Sequence, residues 1–163
     1  MKTKIKVLIG AAIAGIVGIA VATPVVLLTS PILAQGNQAA DIHERGRALM
    51  SNGAYFRAEL ETEGPSTTSI QDGAYSVGGQ NGWHSHPGLV AVTLLSGSIR
   101  WYDENCKPTV YNAGDTWVEG SKIHAFRNIG TGTVHLMAVF ITAQGQALRT
   151  DEPAPECAAG LGL

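Results

Sequence analysis

Histidines at His84, His86 and His124 are the residues of this chain best suited to metal chemistry. His84 and His86 are separated by one residue, and the glycine-rich run Gly78-Gly79 precedes them. Residues two apart on a β-strand point to the same side, so these imidazoles are expected to project together. Two imidazoles facing one space are the beginning of a divalent-metal site, and glycines allow the backbone to approach it closely.

Other polar residues fit such a site less well. His135 lies in an apolar segment, which favours a hydrogen-bonded position in a core or on a strand face, and His43 lies among charged residues, which favours solvent. Gln80 and Glu119 are near the expected mouth of the site and could supply an oxygen ligand or accept a proton. Nothing in the sequence selects either. Trp83 and Trp117 could line a pocket, although aromatic residues in β-proteins are more often plain core.

The spacing around the histidines resembles the two motifs of the cupin superfamily. The first, in outline G-x5-H-x-H-x3-E-x6-G, is matched by Gly78, His84, His86 and Gly97. The second, in outline G-x5-P-x-G-x2-H-x3-N, is matched by Gly114, His124 and Asn128 but lacks the central Pro and Gly. The resemblance covers residues 75–145. Within the superfamily, the chain is most similar in pattern to small exported bacterial cupin-domain proteins. The resemblance implies an all-β fold, the cupin double-stranded β-helix or jelly-roll barrel, with a metal inside one mouth.

One departure from the first motif concerns its carboxylate. Val90 stands where the resemblance would place the glutamate ligand. The implied ligands are then His84, His86 and His124, holding a divalent ion such as iron, manganese or zinc more weakly and leaving it more Lewis acidic. If the chain is an enzyme, the resemblance implies a metal-dependent oxygenase. The alternative is a non-enzymatic barrel, binding a small molecule or serving a structural role without metal.

Turn signals after the N-terminal segment support the all-β interpretation. Asn52-Gly53 predicts a tight hairpin, and Ser96-Gly97 and Gly130-Thr131-Gly132 separate further β-rich segments. Residues 35–50 fit a helix or a strand equally well, and the Pro-rich tail from Asp151 is expected to be irregular. One cupin domain spanning residues 23–163 is predicted.

The N-terminus has the pattern of a targeting segment. Lys2, Lys4 and Lys6 precede the apolar run 7–19, and Ala20-Val21-Ala22 fits signal-peptidase cleavage. Residues 1–22 are therefore predicted to be a signal peptide or, since apolar residues resume at 25–28, an uncleaved membrane-anchor helix. Either form exports the chain to the periplasm, the extracellular space or the outer side of a membrane. Any membrane contact would be through this segment.

Composition limits the partners. The formal net charge is −2 and the basic residues after residue 40 are scattered, which excludes a nucleic-acid surface and favours a small-molecule or cation partner. The resemblance also implies a possible homodimer. Cys106 and Cys157 are an even pair in an oxidising compartment, which favours a disulfide over two free thiols.

Overall fold

The computed structural model describes residues 27–163, so the predicted signal or anchor segment lies outside the described residues. This part of the chain consists of β-strands and one short 3₁₀ helix at Glu156–Ala158, which confirms the all-β prediction. Residues 35–50, which fitted helix or strand, contain the end of one strand and the whole of the next. The strands are β1 (Ile32–Gln38), β2 (Ile42–Leu49), β3 (Tyr55–Thr62), β4 (Ser66–Tyr75), β5 (His84–Ser85), β6 (Leu89–Ser96), β7 (Ser98–Tyr102), β8 (Pro108–Asn112), β9 (Thr116–Glu119), β10 (Ala125–Asn128), β11 (Val134–Ala143) and β12 (Thr150–Asp151).

Two antiparallel sheets form a double-stranded β-helix. The larger has the strand order β1-β4-β11-β6-β9, and the smaller has the order β10-β7-β8. Neighbours in these sheets are distant in sequence, as β4 with β11 and β6 with β9. Such pairing brings the segments that contain His84 and His124 to one end of the barrel.

The main core fills the space between the sheets. Along β6, Val90, Val92 and Leu94 are buried, whereas Leu89 and Leu95 are exposed, as expected for alternating faces of a strand. Trp117 joins this core from β9, which pairs with β6, and Phe126 joins it from β10 in the opposite sheet. The inward face of the large sheet therefore provides the apolar wall behind the histidines.

The turn between β6 and β7 requires glycine. Gly97 has φ +81°, which side chains rarely adopt, and a Cβ there would lie 2.7 Å from Cγ2 of Val134. The closing glycine of the first motif thus has a steric role in the tight β6–β7 turn, at the end of β6 away from the histidines.

The hairpin predicted at Asn52-Gly53 is confirmed. Gly53 adopts φ +82°, and Asn52 Oδ1 accepts a hydrogen bond from the backbone N–H of Ala54 at 3.0 Å. Within residues 27–163, β2 and β3 pair only with each other. We call this two-stranded projection, residues 42–62, the arm.

The C-terminal segment is attached to the barrel at several points. Cys106 and Cys157 form a disulfide, so the predicted pairing is confirmed. Ala158 packs in a second core cluster with Trp83 and Ala125. The tail predicted to be irregular thus contains β12 and the 3₁₀ helix, and we call residues 148–163 the C-terminal strap. No helix of the described part of the chain is long and apolar enough to cross a membrane.

Candidate metal centre

The structure brings the three predicted histidines together. His84 and His124 lie opposite each other, because each backbone N–H donates to the other's carbonyl, at 3.0 and 2.9 Å. Their ring centroids are 4.4 Å apart, and the ring of His86 lies 4.8 Å from that of His84 and 5.0 Å from that of His124. All three residues are buried. His43 and His135 are exposed, in agreement with their exclusion as ligands.

Backbone carbonyls orient all three imidazoles in the same way. The Nδ1 atom of each ring lies 2.8–2.9 Å from a carbonyl oxygen, which only accepts hydrogen bonds. Nδ1 must therefore carry the proton that is donated, which leaves Nε2 as the atom facing the shared space. The carbonyls belong to Gly82, Leu148 and Lys122.

Glu119 completes the cluster; the sequence offered it beside Gln80 as a possible oxygen ligand but selected neither. Its Oε2 lies 3.3 Å from Nε2 of His86 and 3.2 Å from Nε2 of His124. Its Oε1 accepts hydrogen bonds from the indole N–H groups of Trp101 and Trp117, both at 2.8 Å. The two indoles therefore hold one carboxylate oxygen and leave the other facing the imidazoles.

Strand register explains where this carboxylate comes from. Val90 on β6 pairs directly with Glu119 on β9, so the carboxylate stands beside the position where the motif would place its glutamate. A sequence signal existed, since Trp117 and Glu119 alternate with Val118 and must share a strand face. Only the pairing of β6 with β9 shows that this face points at the histidines.

The electrostatics of the cluster favour a neutral His84 and an ionised Glu119 carboxylate. Burial, helped by the charges of His124 and Arg149, lowers the pKa of His84 to about 3. Burial would raise the pKa of Glu119, but His124, His86 and Trp117 around it lower that pKa well below the usual range. Burial likewise opposes protonation of His124, yet the Glu119 carboxylate beside it raises its pKa.

The donor atoms of the cluster fit a divalent metal ion. Among residues 27–163, Nε2 of His86 and Nε2 of His124 are buried side-chain atoms without a hydrogen-bond partner. Leaving buried polar atoms unpaired is costly, and an ion would satisfy both. One donor atom from each histidine and from Glu119 lie within 4.8 Å of one another, so these four residues are close enough to share one ion. Three imidazoles and a carboxylate suit iron, manganese or zinc.

A cavity of ≈150 Å³ opens beside the cluster. Apolar side chains such as Trp117 and Phe140 form its walls, and among residues 27–163 Arg149 is the one cationic residue that lines it. Of the two tryptophans that could line a pocket or be plain core, Trp117 lines this cavity and packs in the main core, whereas Trp83 packs in the second core cluster. Gln80 lies outside the donor cluster and accepts a hydrogen bond from Arg127.

The C-terminal strap holds the strand that carries the first two histidines. β12 pairs with β5, so that Thr150 and Asp151 lie opposite Ser85 and His84. Ser85 Oγ also donates to Glu152 Oε1 at 2.8 Å. Together with the Leu148 carbonyl on His86, these bonds make the strap part of the support of the cluster.

Tyr75 lines the cavity, and the raised pKa of its phenol leads us to expect that the protein becomes less stable at high pH. Burial raises its pKa to about 12, whereas an unfolded tyrosine ionises near pH 10. Between these values the unfolded state loses the proton first, so stability falls as pH rises, by about 2 kcal/mol near pH 11.5. Urea unfolding at pH 9 and pH 11.5 measures this. The Tyr75→Phe variant should lose that part of the fall, and an equal fall in both proteins would contradict the assignment.

Comparisons with known proteins agree with the motifs. Residues 73–140 match the family model described as "Cupin domain". Among curated proteins, none matches the sequence.

Solved structures with similar folds include three of note. A conserved protein of Klebsiella pneumoniae with a double-stranded β-helix domain is 22% identical, with a TM-score of 0.46, over 52% of this chain and 76% of that one. An oxalate oxidase in complex with the substrate analogue glycolate is 22% identical, with a TM-score of 0.42, over 45% of this chain and 41% of that one. A predicted oxalate decarboxylase of Thermotoga maritima is 21% identical, with a TM-score of 0.41, over 49% of this chain and 83% of that one.

Proposed function

The chain carries a cupin domain at residues 73–140, and from this premise we propose that the protein binds a divalent metal ion through His84, His86, His124 and Glu119. The observation that carries the proposal is the convergence of four buried donor atoms within 4.8 Å. Two of them, the Nε2 atoms of His86 and His124, have no hydrogen-bond partner among the described residues. A bound ion would supply Lewis acidity and open coordination positions to a small molecule.

The protein's own residues prepare the site for an ion. The backbone carbonyls hold each imidazole with Nε2 inward, and burial keeps His84 neutral at pH 7. Glu119 adds one negative charge beside the three imidazoles, which favours a divalent cation over a bare pocket. The carboxylate that Val90 fails to provide thus comes from the neighbouring strand.

The small molecule would occupy the cavity beside the ion. Its volume of ≈150 Å³ is below the ~300 Å³ typical of pockets for drug-sized ligands, so the occupant is a small metabolite-sized compound. Apolar walls would exclude water from the reacting end. Arg149 at the lining provides a positive charge for an acidic or strongly polar group of that compound.

We also place the domain at residues 23–163, outside the cytoplasm. The Cys106–Cys157 disulfide supports this, because structural disulfides persist in oxidising compartments. The apolar N-terminal segment, with its site for cleavage after Ala22, provides the route of export.

Elemental analysis of the untagged protein, purified from the exported fraction, tests the metal site. We expect about one iron, manganese or zinc per chain, an intact mass that begins at Thr23, and loss of the metal in His84→Ala. The control is His135→Ala, which removes an exposed histidine and should retain the metal. Circular dichroism verifies that each variant is folded. A folded wild type that neither contains metal nor takes up added ions would refute the proposal, as would full metal content in His84→Ala.

A further inference from the structure

One arginine lines the cavity beside the metal centre, and it comes from outside the matched cupin domain. Arg149 belongs to the C-terminal strap, beyond the match at residues 73–140. Its side chain is partly buried, at 31% exposure. Because a charged side chain loses hydration when it is buried, its hydrogen bonds show how much of its donor capacity is used inside the protein.

The guanidinium of Arg149 is held in place but is not saturated with hydrogen bonds. Nη1 donates to the backbone carbonyl of Asn81 at 3.0 Å, and Nε donates to Asp151 Oδ1 at 2.8 Å. Nη2 donates to the same Asp151 oxygen. A guanidinium has five N–H groups, so within the described part of the chain one N–H remains on each terminal nitrogen. Two such groups are enough to bind both oxygens of a carboxylate.

Both anchors of Arg149 are fixed by other parts of the fold. Asn81 is buried, and its Oδ1 accepts a hydrogen bond from the backbone N–H of Phe126 at 2.7 Å. Asp151 belongs to β12, where it lies opposite His84. The guanidinium is therefore ordered before any ligand arrives, which reduces the conformational entropy that binding would cost.

Most of the remaining lining is apolar. Buried residues such as Val92, Phe126, Leu136 and Phe140 form the walls. The cavity has a volume of ≈150 Å³, and an apolar protein cavity of about this size holds one benzene molecule. A second charged group on the ligand would be buried against these walls at a high cost. The cavity thus fits one anionic group at Arg149 and an apolar body of about six carbon atoms.

Tyr75 gives the cavity a neutral hydrogen-bond donor near this arginine. Its phenol stays protonated at pH 7, because burial raises its pKa to about 12 against the opposing charge of Arg149. The same positive charge also acts on His84. Arg149 is therefore close enough to both the phenol and the donor cluster to act on one small ligand together with them.

We propose that this cavity binds a small monocarboxylate with an apolar body about as large as a benzene ring, and that its carboxylate is bound by Arg149. The inference rests on the proposed function, since it names the class of compound that would lie beside the ion. Arg149 is then a specificity-determining residue that contacts the ligand and not the ion. Asp151 shares the guanidinium and limits how strongly it attracts the ligand.

Isothermal titration calorimetry with benzoate tests the inference, in protein stripped of metal with EDTA and in the same protein reloaded with Zn²⁺. We expect benzoate to bind both forms, at least tenfold more tightly than benzamide, which has the body without the charge, or acetate, which has the charge without the body. Arg149→Gln should lower the affinity for benzoate at least tenfold and leave that for benzamide unchanged. The control is Arg100→Gln, which removes an exposed arginine on β7.

Asp151→Asn distinguishes ligand binding by Arg149 from a purely structural role. The substitution keeps the shape of the side chain but removes the anion that shares the guanidinium. We expect benzoate to bind several-fold more tightly, because the charge of Arg149 is no longer neutralised. If Arg149 only supports the fold, Asp151→Asn would leave the affinity for benzoate unchanged or lower, and the inference would be wrong.

Two further results would overturn the inference. One is a folded wild type that binds benzoate no better than benzamide or acetate. The other is binding that requires Zn²⁺ and is insensitive to Arg149→Gln, which would place the carboxylate on the ion. Neither result concerns metal content, so both can be told apart from failure of the metal site, which elemental analysis reports. Conversely, benzoate binding to a protein that takes up no metal would support this inference alone.

Discussion

Glu119→Gln is expected to lower the affinity for Mn²⁺ or Zn²⁺ by about 100-fold. The substitution preserves shape but removes the negative charge of the proposed oxygen ligand, which lies 3.2–3.3 Å from two of the imidazole Nε2 atoms. Removing a residue that only hydrogen-bonds to a metal ligand lowers metal affinity roughly 10–100-fold. Weakening a direct ligand should therefore lower the affinity by at least the upper value of that range. Competition with a fluorescent chelator measures the change. The control is Glu61→Gln, which removes the same charge from the exposed face of the arm.

The two indoles that hold Glu119 allow a finer test of its position. Trp101→Phe keeps an aromatic ring but removes one of the two N–H donors to Oε1. We expect about a tenfold loss of affinity, since the carboxylate is then free to rotate away from the imidazoles. Unchanged affinity in both Glu119→Gln and Trp101→Phe would show that the carboxylate takes no part in binding the ion.

Register also suggests a rescue. Val90 pairs directly with Glu119, so Val90→Glu in the Glu119→Gln background restores a carboxylate at the position that the motif prescribes. Part of the lost affinity should return. Failure to bind metal in a folded double variant would indicate that the indoles, rather than the presence of a carboxylate alone, determine the site.

Removal of the Cys106–Cys157 disulfide should weaken both the fold and the metal site. The bond joins residues separated by 51 positions, and loss of a cross-link closing a loop of this length costs about 4 kcal/mol in the chain-entropy model. Urea unfolding of the Cys106→Ser, Cys157→Ser double variant should show a loss of about 2–4 kcal/mol. The reductant dithiothreitol should reproduce this in the wild type and have no effect on the double variant.

The effect on the metal site follows from the C-terminal strap. The Leu148 carbonyl lies 2.8 Å from Nδ1 of His86, and β12 pairs with the strand that carries His84. Without the disulfide the strap is held less firmly, so we expect metal affinity to fall about tenfold. A variant ending at Gln146 removes the strap altogether and should lose more affinity. Equal affinity in the truncated and full-length proteins would show that the strap does not support the site.

Local pattern was enough to predict several elements of this protein. The alternation of strand faces placed His84 and His86 together, and Asn52-Gly53 marked a hairpin that the structure contains. The even cysteine count predicted the disulfide. Each of these depends on rules that act over a few residues or on composition. The signal or anchor segment lies outside the described residues and stays a prediction.

The remaining features depend on contacts between residues far apart in sequence. Glu119 could not be assigned to the histidines until the pairing of β6 with β9 placed it beside Val90. Likewise, nothing in the sequence of the C-terminal segment indicated that the Leu148 carbonyl would accept a hydrogen bond from His86, 62 positions earlier in the chain. That Ala48 and Phe56 share one face of the arm became clear only from the register of β2 with β3. The sequence alone thus determined the all-β class, several turns and the three histidines, while strand register, which long-range packing decides, completed the site.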